Sequence, residues 1–205
     1  MEERESKVKD LEEKLHRGEL TPKEALKELR KRGLVEHERW EIIPWVIYLI
    51  LWVPFNFLFS DKLLTVHFPL VVICILSAII AFGIYLGVWA TRLHYKKGGI
   101  IDDQTVTLIN EGPYRVMRHP AVGFMLLPIL LPIVLSSVIP FTPLSATAMA
   151  VMIVITLYGC WKEEKELNIP KWGDEYLRYM KEVPRYNLIL GLWRLRKRGE
   201  RREFK

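Results

Sequence analysis

The chain has 205 residues, of which 50% are hydrophobic and 26% are charged, with a formal net charge of +6. The charges are segregated: residues 1–41 hold 11 Lys or Arg and 12 Asp or Glu, residues 162–205 hold 13 and 8, and the 120 residues between them hold 6 and 4. This distribution excludes an evenly mixed soluble domain, and the two cysteines, Cys74 and Cys160, have neither disulfide-framework nor zinc-site spacing.

Residues 1–40 are expected to form a charged cytoplasmic segment, with a helical hairpin over residues 7–34. Leu11 and Leu15 mark one face of its first helix. Thr21-Pro22, with Glu24 three residues after Thr21, is typical of a capped helix start. The hairpin is either a solvated element beside a membrane or a surface for a partner or a second copy.

Three stretches contain no Lys, Arg, Asp or Glu: residues 42–59, 63–91 and 119–161. About 20 apolar residues cross the hydrocarbon core of a membrane. The third stretch is long enough for two crossings, and the prolines of Ile139–Pro143 favour a turn between them. The predicted fold class is therefore all-α: a polytopic membrane helical bundle of about four transmembrane helices, with a cytoplasmic N-terminal hairpin and C-terminal helices.

The basic residues predict the orientation of this bundle. The N-terminal segment, the 91–118 connection and the C-terminal segment carry 29 of the 30 Lys and Arg residues, and the other connections carry only Lys62. The positive-inside rule then places both termini in the cytoplasm. We expect a membrane domain at 41–190 and a basic tail at 191–205, with membrane lipids rather than nucleic acid as its partner.

The first of two polar clusters runs from Leu108 to Pro120. Gly112-Pro113 predicts a tight turn that presents Tyr114, and Pro120 suits the first turn of a helix. Arg118 and His119 would then lie at a helix N-terminus and form a receptor for a carboxylate or a phosphate. The alternative is an interfacial pair of side chains that reaches the lipid headgroups.

The second cluster begins at Glu163-Glu164, directly after the fourth predicted span. Because adjacent helix positions lie about 100° apart, only one of these carboxylates is expected to point inward; the alternative is a solvated boundary. Further along, Arg185 is either a tail cation or an anion receptor. His67 and His94 are expected to be interfacial, and no metal site is predicted.

The order of these motifs is the most specific signal. G-P-Y-R-x-x-R-H-P is followed by E-E-x-x-L after the next span and then by W-G-x-x-Y-x-x-Y-x-x-x-V-P-R. Over about residues 90–190 this order closely resembles the isoprenylcysteine carboxyl methyltransferase and phospholipid methyltransferase superfamily. The resemblance implies an integral membrane enzyme that uses S-adenosylmethionine. The residues expected to bind the cofactor are Thr107, Leu108, Ile109, Tyr114, Arg118, His119, Pro120, Ala121, Val122 and Glu163.

The chain departs from the family pattern mainly on the substrate side. A family Tyr is replaced by Val122, and the family Arg four residues before the Glu pair is replaced by Gly159, so Lys162 or Arg185 is expected to supply the missing cation. The predicted function is methyl transfer to a lipid or lipidated acceptor, either a prenylcysteine-type carboxylate or a lipid headgroup. The predicted catalytic residues are Arg185 on the acceptor's anionic group and, as candidate bases for an amine, Glu164 and Tyr176.

Two alternatives remain open at this stage. An NADPH-dependent enzyme similar to sterol reductases would share a related membrane fold, but the chain is short and has no basic cluster set aside for a 2′-phosphate. A non-enzymatic membrane scaffold explains the topology but not the two ordered motifs. The identity of the methyl acceptor and the oligomeric state stay undetermined.

Overall fold

The computed structural model describes residues 2–32, 42–97 and 105–203, and every regular element in these ranges is helical, as predicted. The α-helices there are α1 (Glu2–His16), α2 (Pro22–Lys31), α3 (Ile42–Trp52), α4 (Pro54–Phe59), α5 (Leu70–Lys96), α6 (Leu126–Val134), α7 (Pro143–Lys162), α8 (Ile169–Glu182) and α9 (Leu188–Glu203). They are joined by 3₁₀ helices at Ser60–Lys62, Gly112–Arg115 and Pro120–Met125 and by a π-helical segment at Glu163–Asn168.

The predicted N-terminal hairpin consists of α1 and α2. The Thr21 hydroxyl accepts a hydrogen bond from the Glu24 backbone N–H, and the Glu24 carboxylate accepts one from the Thr21 N–H at 2.8 Å. This reciprocal cap satisfies donors that a helix start leaves unpaired, and Pro22 occupies a first-turn position where its missing N–H costs nothing. The predicted start of α2 is confirmed.

The chain divides into two compact units, which are described separately. The first unit contains Met1–Glu36, Val88–Pro120 and Cys160–Lys205, and the second contains His37–Gly87 and Ala121–Gly159. The N-terminal hairpin, expected as a domain of its own, therefore shares a unit with both polar sequence clusters. Most of the expected basic tail lies in the regular helix α9.

The core of the first unit joins the hairpin to α8. The buried hairpin side chains Val8, Leu11, Ala25 and Leu29 cluster with Trp172, Tyr176 and Tyr179 of α8 and with Val183, which directly follows α8. Within α8, Gly173 has a φ of 50°, a conformation that favours glycine, and it breaks the helix there. The Trp172 indole N–H donates to the Val106 carbonyl at 2.8 Å. This hydrogen bond holds α8 against the segment that precedes the first polar cluster.

The second unit is almost entirely apolar. Tyr48, Trp52, Ala148 and Met152 form its buried core. A Cβ added at Gly123 would lie 2.2 Å from the Gly83 carbonyl oxygen, so the two backbones approach too closely for any side chain at this position. The absence of a Cβ thus allows α5 and the 3₁₀ helix Pro120–Met125 to touch.

Two helical segments in the described part of the chain are long and apolar enough to cross a membrane. They are Leu70–Lys96, whose apolar window has a mean hydropathy of 2.7, and Pro143–Glu182, whose apolar window has a mean hydropathy of 1.8. The other two predicted spans differ from continuous helices of about twenty residues. The first is interrupted at Val53, before Pro54, and the third is a helical stretch at Pro120–Val134 that begins as a 3₁₀ helix. Proline lacks a backbone donor, which accounts for the break at Pro54.

Candidate functional site

The site begins with the turn that presents Tyr114. Gly112 has a φ of 55°, and a Cβ there would lie 3.0 Å from a Leu93 methyl group, so both the backbone angle and the space favour glycine. Tyr114 is buried. Its hydroxyl lies 2.5 Å from His94 Nε2, and its carbonyl accepts a hydrogen bond from the Tyr179 hydroxyl at 2.7 Å. The tight turn predicted at Gly112-Pro113 is confirmed.

The two polar sequence clusters meet through backbone hydrogen bonds. The Arg118 N–H donates to the Pro184 carbonyl at 3.0 Å, and the His119 N–H donates to the Arg185 carbonyl at 3.4 Å. The V-P-R segment therefore lies alongside the R-H pair, although 65 residues separate the two along the chain. This pairing brings the side chains of both clusters to the same place.

Glu164 lies at the centre of the resulting charge cluster. Its side chain is only 2% exposed and accepts hydrogen bonds from His119 Nε2 at 2.9 Å and from Arg185 Nε at 3.0 Å. Arg185 Nη2 donates to the same carboxylate, and Arg118 Nη2 lies 3.4 Å from it. A buried carboxylate is tolerated only when it is paired, and here three cationic side chains pair with it.

These contacts determine the protonation states of the cluster. Burial alone would raise the pKa of Glu164, but hydrogen bonds from His119 and Arg185, with the charge of Arg118, lower that pKa to about 2. Burial alone would lower the pKa of His119, but hydrogen bonds with Cys160 and Glu164, with the charge of Glu163, raise that pKa well above its ordinary value. At neutral pH Glu164 is therefore ionised and His119 is an imidazolium.

Both carboxylates of the Glu pair contact His119, contrary to the expectation that only one would point inward. Glu163 Oε2 lies 3.7 Å from His119 Nδ1, and Glu164 Oε1 lies 2.9 Å from His119 Nε2. The reason is that the imidazole lies between them and offers one ring nitrogen to each. Glu163, which was expected to bind the cofactor, is 27% exposed, so Glu164 is the more deeply buried of the two.

The backbone around the Glu pair also differs from the helix assumed from sequence. The Ile169 N–H bonds to the Glu164 carbonyl five residues earlier, which makes Glu163–Asn168 a π-helical segment. At its end, the Asn168 side chain donates to Glu163 Oε1 at 3.2 Å and to the Tyr176 hydroxyl at 3.3 Å. Tyr176 is thereby connected to the charge cluster, and burial raises the pKa of its hydroxyl.

A narrow cavity adjoins this cluster and contains buried polar atoms without partners. It is lined by His94, Thr105, Leu108, Ile109, Tyr114, Arg118, Asn168, Trp172, Tyr176 and Tyr179. Its free space is about 10 Å³, room for about one water molecule. Arg118 Nε and Nη1 and Asn168 Oδ1 have no hydrogen-bond partner, although these side chains are 91% and 99% buried. Such unpaired groups are uncommon among buried polar atoms, so they mark a place where a ligand or a water molecule could bind.

The sequence-predicted residues divide into three groups by position. Leu108, Ile109, Tyr114, Arg118 and Tyr176 line the cavity, whereas His119, Glu163, Glu164 and Arg185 form the charge cluster beside it. Thr107 has a buried hydroxyl without a partner but is not part of the lining, and Pro120 is buried at the end of the first unit. The remaining two, Ala121 and Val122, are half-buried members of the second unit.

Of the two cations expected to replace the missing family Arg, Arg185 contacts Glu164 directly. Lys162 Nζ lies 3.8 Å from Glu166, whose side chain is 48% exposed. Arg185 is 31% exposed, so it contacts Glu164 and also reaches the surface of the site. This position fits the anion-receptor interpretation of Arg185 better than that of a tail cation.

Several residues of the cavity wall were not predicted from the sequence. His94 was expected to be interfacial, but it is 2% exposed and contacts Tyr114, and nothing in its local sequence signals this contact. Asn168 was missed because its position depends on the π-helical segment. Trp172 and Tyr179 lie within eight positions of the sequence together with Tyr176, and this clustering of aromatic residues is a signal that was available.

Among the residues that the structure describes, no group of three or more His, Cys, Asp or Glu side chains is placed to hold a metal ion. Comparison of the chain with protein-family models, curated proteins and solved structures gives no match.

Proposed function

We propose that this chain is an integral membrane methyltransferase that uses S-adenosylmethionine and acts on a membrane-embedded acceptor at the cytoplasmic interface. One observation carries the proposal: the clusters that resemble the isoprenylcysteine and phospholipid methyltransferases join around Glu164, beside an aromatic cavity with orphaned polar atoms. A scaffold has no need of unpaired buried donors, because an orphaned group costs about 1–3 kcal/mol.

The lining chemistry suits S-adenosylmethionine. The unpaired N–H groups of Arg118 match a carboxylate, and the Asn168 oxygen matches a hydroxyl or amino donor. The rings of Tyr114, Trp172 and Tyr176 suit an adenine and a cationic sulfonium. The free space is far smaller than a nucleoside, so binding requires the lining to move apart. When bound, the cofactor supplies an electrophilic methyl group.

The charge cluster favours an acceptor that arrives already ionised. With a pKa of about 2, Glu164 is a poor general base, and Tyr176 stays protonated because burial raises the pKa of its hydroxyl. This weighs against the roles expected for them as bases. A carboxylate acceptor needs no base, whereas an amine headgroup does, so we favour a carboxylate. In this proposal Glu164 holds Arg185 in place, and Arg185 receives the acceptor's anionic group.

The membrane part of the proposal has four spans with both termini in the cytoplasm. The spans are α3 with α4, α5, the stretch Pro120–Val134, and α7. Support comes from the two apolar windows of α5 and Pro143–Glu182, of which only 22% is buried within the protein. The core helix of a soluble protein would be mostly buried, so these surfaces suit lipid.

Calorimetry on the purified protein in detergent tests the cofactor directly. We expect S-adenosylmethionine to bind and NADPH not to bind. Arg118→Met should weaken cofactor binding by about tenfold or more, since a buried charged donor is removed. The matched control is Arg115→Met, which removes the same charge from an exposed neighbour and should leave the affinity unchanged. Binding of NADPH instead would favour the reductase, and binding of neither cofactor would favour a scaffold.

The acceptor is identified by incubating the protein with methyl-labelled S-adenosylmethionine and a lipid extract of the host membrane. A labelled species that partitions with lipid and releases its label as methanol on mild alkaline hydrolysis would be a carboxyl methyl ester. An alkali-stable labelled amine headgroup would contradict the preference for a carboxylate but not the methyl transfer.

Impermeant thiol reagents applied to intact cells test the topology. On a background without Cys74 and Cys160, a cysteine at Asp61 should react from outside, because it lies in a short connection opposite the basic segments. A cysteine at Glu5 should react only after the cells are permeabilised. The reverse pattern would overturn the orientation.

A further inference from the structure

Helix α9 packs closely against the loop that carries the site residues. Gly191 is buried, and a Cβ added there would lie 1.9 Å from the Val116 carbonyl oxygen. The glycine therefore allows α9 to contact the backbone of this loop directly. Because Val116 lies two residues before Arg118, the position of α9 and that of the site loop are linked.

The opposite face of α9 is exposed and has a distinct composition. Ile189 is 82% exposed, Leu192 51% and Trp193 53%, an i, i+3, i+4 pattern that aligns them on one side of the helix. The next two positions on this side are the exposed cations Arg196 and Lys197. We call these five residues the α9 outer face. The Lys197 ammonium lies 4.0 Å from the centre of the Trp193 ring.

This composition identifies the kind of surface that the α9 outer face fits. Helix α9 contains six Lys or Arg and two Asp or Glu, so it is strongly cationic. Large apolar side chains and a Trp beside a row of cations are typical of helices that lie in the membrane interface, where the apolar groups enter the acyl boundary and the cations meet phosphates. A nucleic acid would not cover the apolar half, and an apolar protein groove would not satisfy the cations.

We propose that the α9 outer face is an in-plane membrane anchor that binds a bilayer surface rich in anionic lipid. Through the contact of Gly191 with Val116, this anchor holds the loop with Arg118 and His119 at the headgroup level. The inference does not depend on the reaction at the site, because it rests on exposed residues that do not line the cavity.

The test uses the full-length protein without Cys74 and Cys160, with Ile189→Cys carrying a fluorophore, reconstituted into vesicles that contain a nitroxide-labelled lipid. The vesicles are of phosphatidylcholine alone or of phosphatidylcholine with phosphatidylglycerol. The comparison position is Glu13→Cys, since the Glu13 side chain is 69% exposed on α1 of the same unit. We expect the lipid nitroxide to quench the label at position 189 more strongly than that at position 13. The difference should grow with phosphatidylglycerol and shrink with added salt.

Charge variants complete the design. Arg196→Ser combined with Lys197→Ser should remove the phosphatidylglycerol-dependent part of the quenching. The control is Lys23→Ser with Lys27→Ser, which removes the same amount of charge from exposed positions on α2 and should leave this quenching unchanged. Equal quenching at positions 189 and 13 would overturn the proposal of a membrane anchor. Quenching at position 189 that does not change with phosphatidylglycerol would overturn it as well. Shielding of the label that instead rises with protein concentration in detergent would assign the face to a second copy. These measurements need neither the cofactor nor enzymatic activity. A failure of the anchor proposal can therefore be distinguished from a failure of the proposed function.

Discussion

The two units of the chain bury polar side chains in different ways. In the second unit Asn56, Thr142 and Ser145 are 0%, 1% and 0% exposed, and all are neutral. The Asn56 amide donates to the Leu51 and Trp52 carbonyls, and its oxygen accepts from the Thr142 hydroxyl. The Ser145 hydroxyl accepts from the Thr142 backbone N–H. This neutral cluster ties α4 to the start of α7.

The first unit buries charges instead, and its bonding is incomplete. Glu164 is fully engaged, but Arg118 and Asn168 keep atoms without partners on the cavity side. The difference teaches that buried polarity alone does not mark a functional site. The neutral cluster of the second unit satisfies its own hydrogen bonds, whereas the unpaired atoms of Arg118 and Asn168 are available to the ligand proposed above.

The largest effect is expected from Glu164→Gln. Loss of this carboxylate leaves three buried or half-buried cations without their counter-charge, which should destabilise the first unit by roughly 3–5 kcal/mol and abolish cofactor binding. Glu163→Gln should have a smaller effect, and Glu166→Gln, on an exposed side chain, should stay within about 0.5 kcal/mol of the parent. Unfolding in detergent and calorimetry measure both quantities. A Glu164→Gln protein with the parent's stability would contradict the central role of this carboxylate.

A smaller effect with a different signature is expected from Thr142→Val in the second unit. The substitution keeps the shape but removes the donor to the buried Asn56 oxygen, which should cost about 1–3 kcal/mol. Cofactor affinity should not change, because this cluster is satisfied without a ligand. Thr147→Val is the control, since it removes an exposed hydroxyl that bonds only to the Pro143 carbonyl in the described contacts. A loss of affinity in Thr142→Val would break the distinction between the two units.

A moderate change of pH around neutrality should have the smallest effect, because the contributions of Glu164 and His119 are lost only toward the extremes of pH, and this pH dependence should be confined to the first unit. The pKa of Glu164 is lowered from 4.5 to about 2, so its stabilising contribution is present above pH 4.5 and is lost as the pH falls from there toward 2. The pKa of His119 is raised above 6.5, so its contribution is present below pH 6.5 and is lost as the pH rises through the folded-state pKa.

Hydrogen exchange, corrected for the intrinsic rate at each pH, measures this dependence region by region. We expect peptides of α8 to lose protection at both extremes of pH and peptides around Tyr48 and Met152 to keep theirs. Equal pH sensitivity of the two units would show that the charge cluster does not dominate the titration of the first unit.

Features of the fold and the site that depend on neighbouring residues in the sequence were predicted, whereas features that depend on contacts between distant residues were not. The cap of Thr21 and Glu24, the turn at Gly112 and the apolar runs are local signals, and their helices and turn are confirmed. The break at Val53 was missed because an apolar run shows no interruption, even where Pro54 lacks a donor. The roles of His94 and Asn168 were also missed, since each depends on a partner or a backbone distortion that residue types alone do not encode.

The π-helical segment at Glu163–Asn168 has a consequence for how this region tolerates mutation. Its wider turn, with one residue more than an α-helical turn, sets the rotation of α8 about its axis. The number of residues between Glu164 and Trp172, which is seven, therefore has to stay the same. Deleting one of them would allow an ordinary α-helix to form and would rotate α8 by about 100°, taking Trp172 away from the Val106 carbonyl. Substitutions of the exposed side chains in this segment should therefore be tolerated, whereas an insertion or a deletion should disrupt the site.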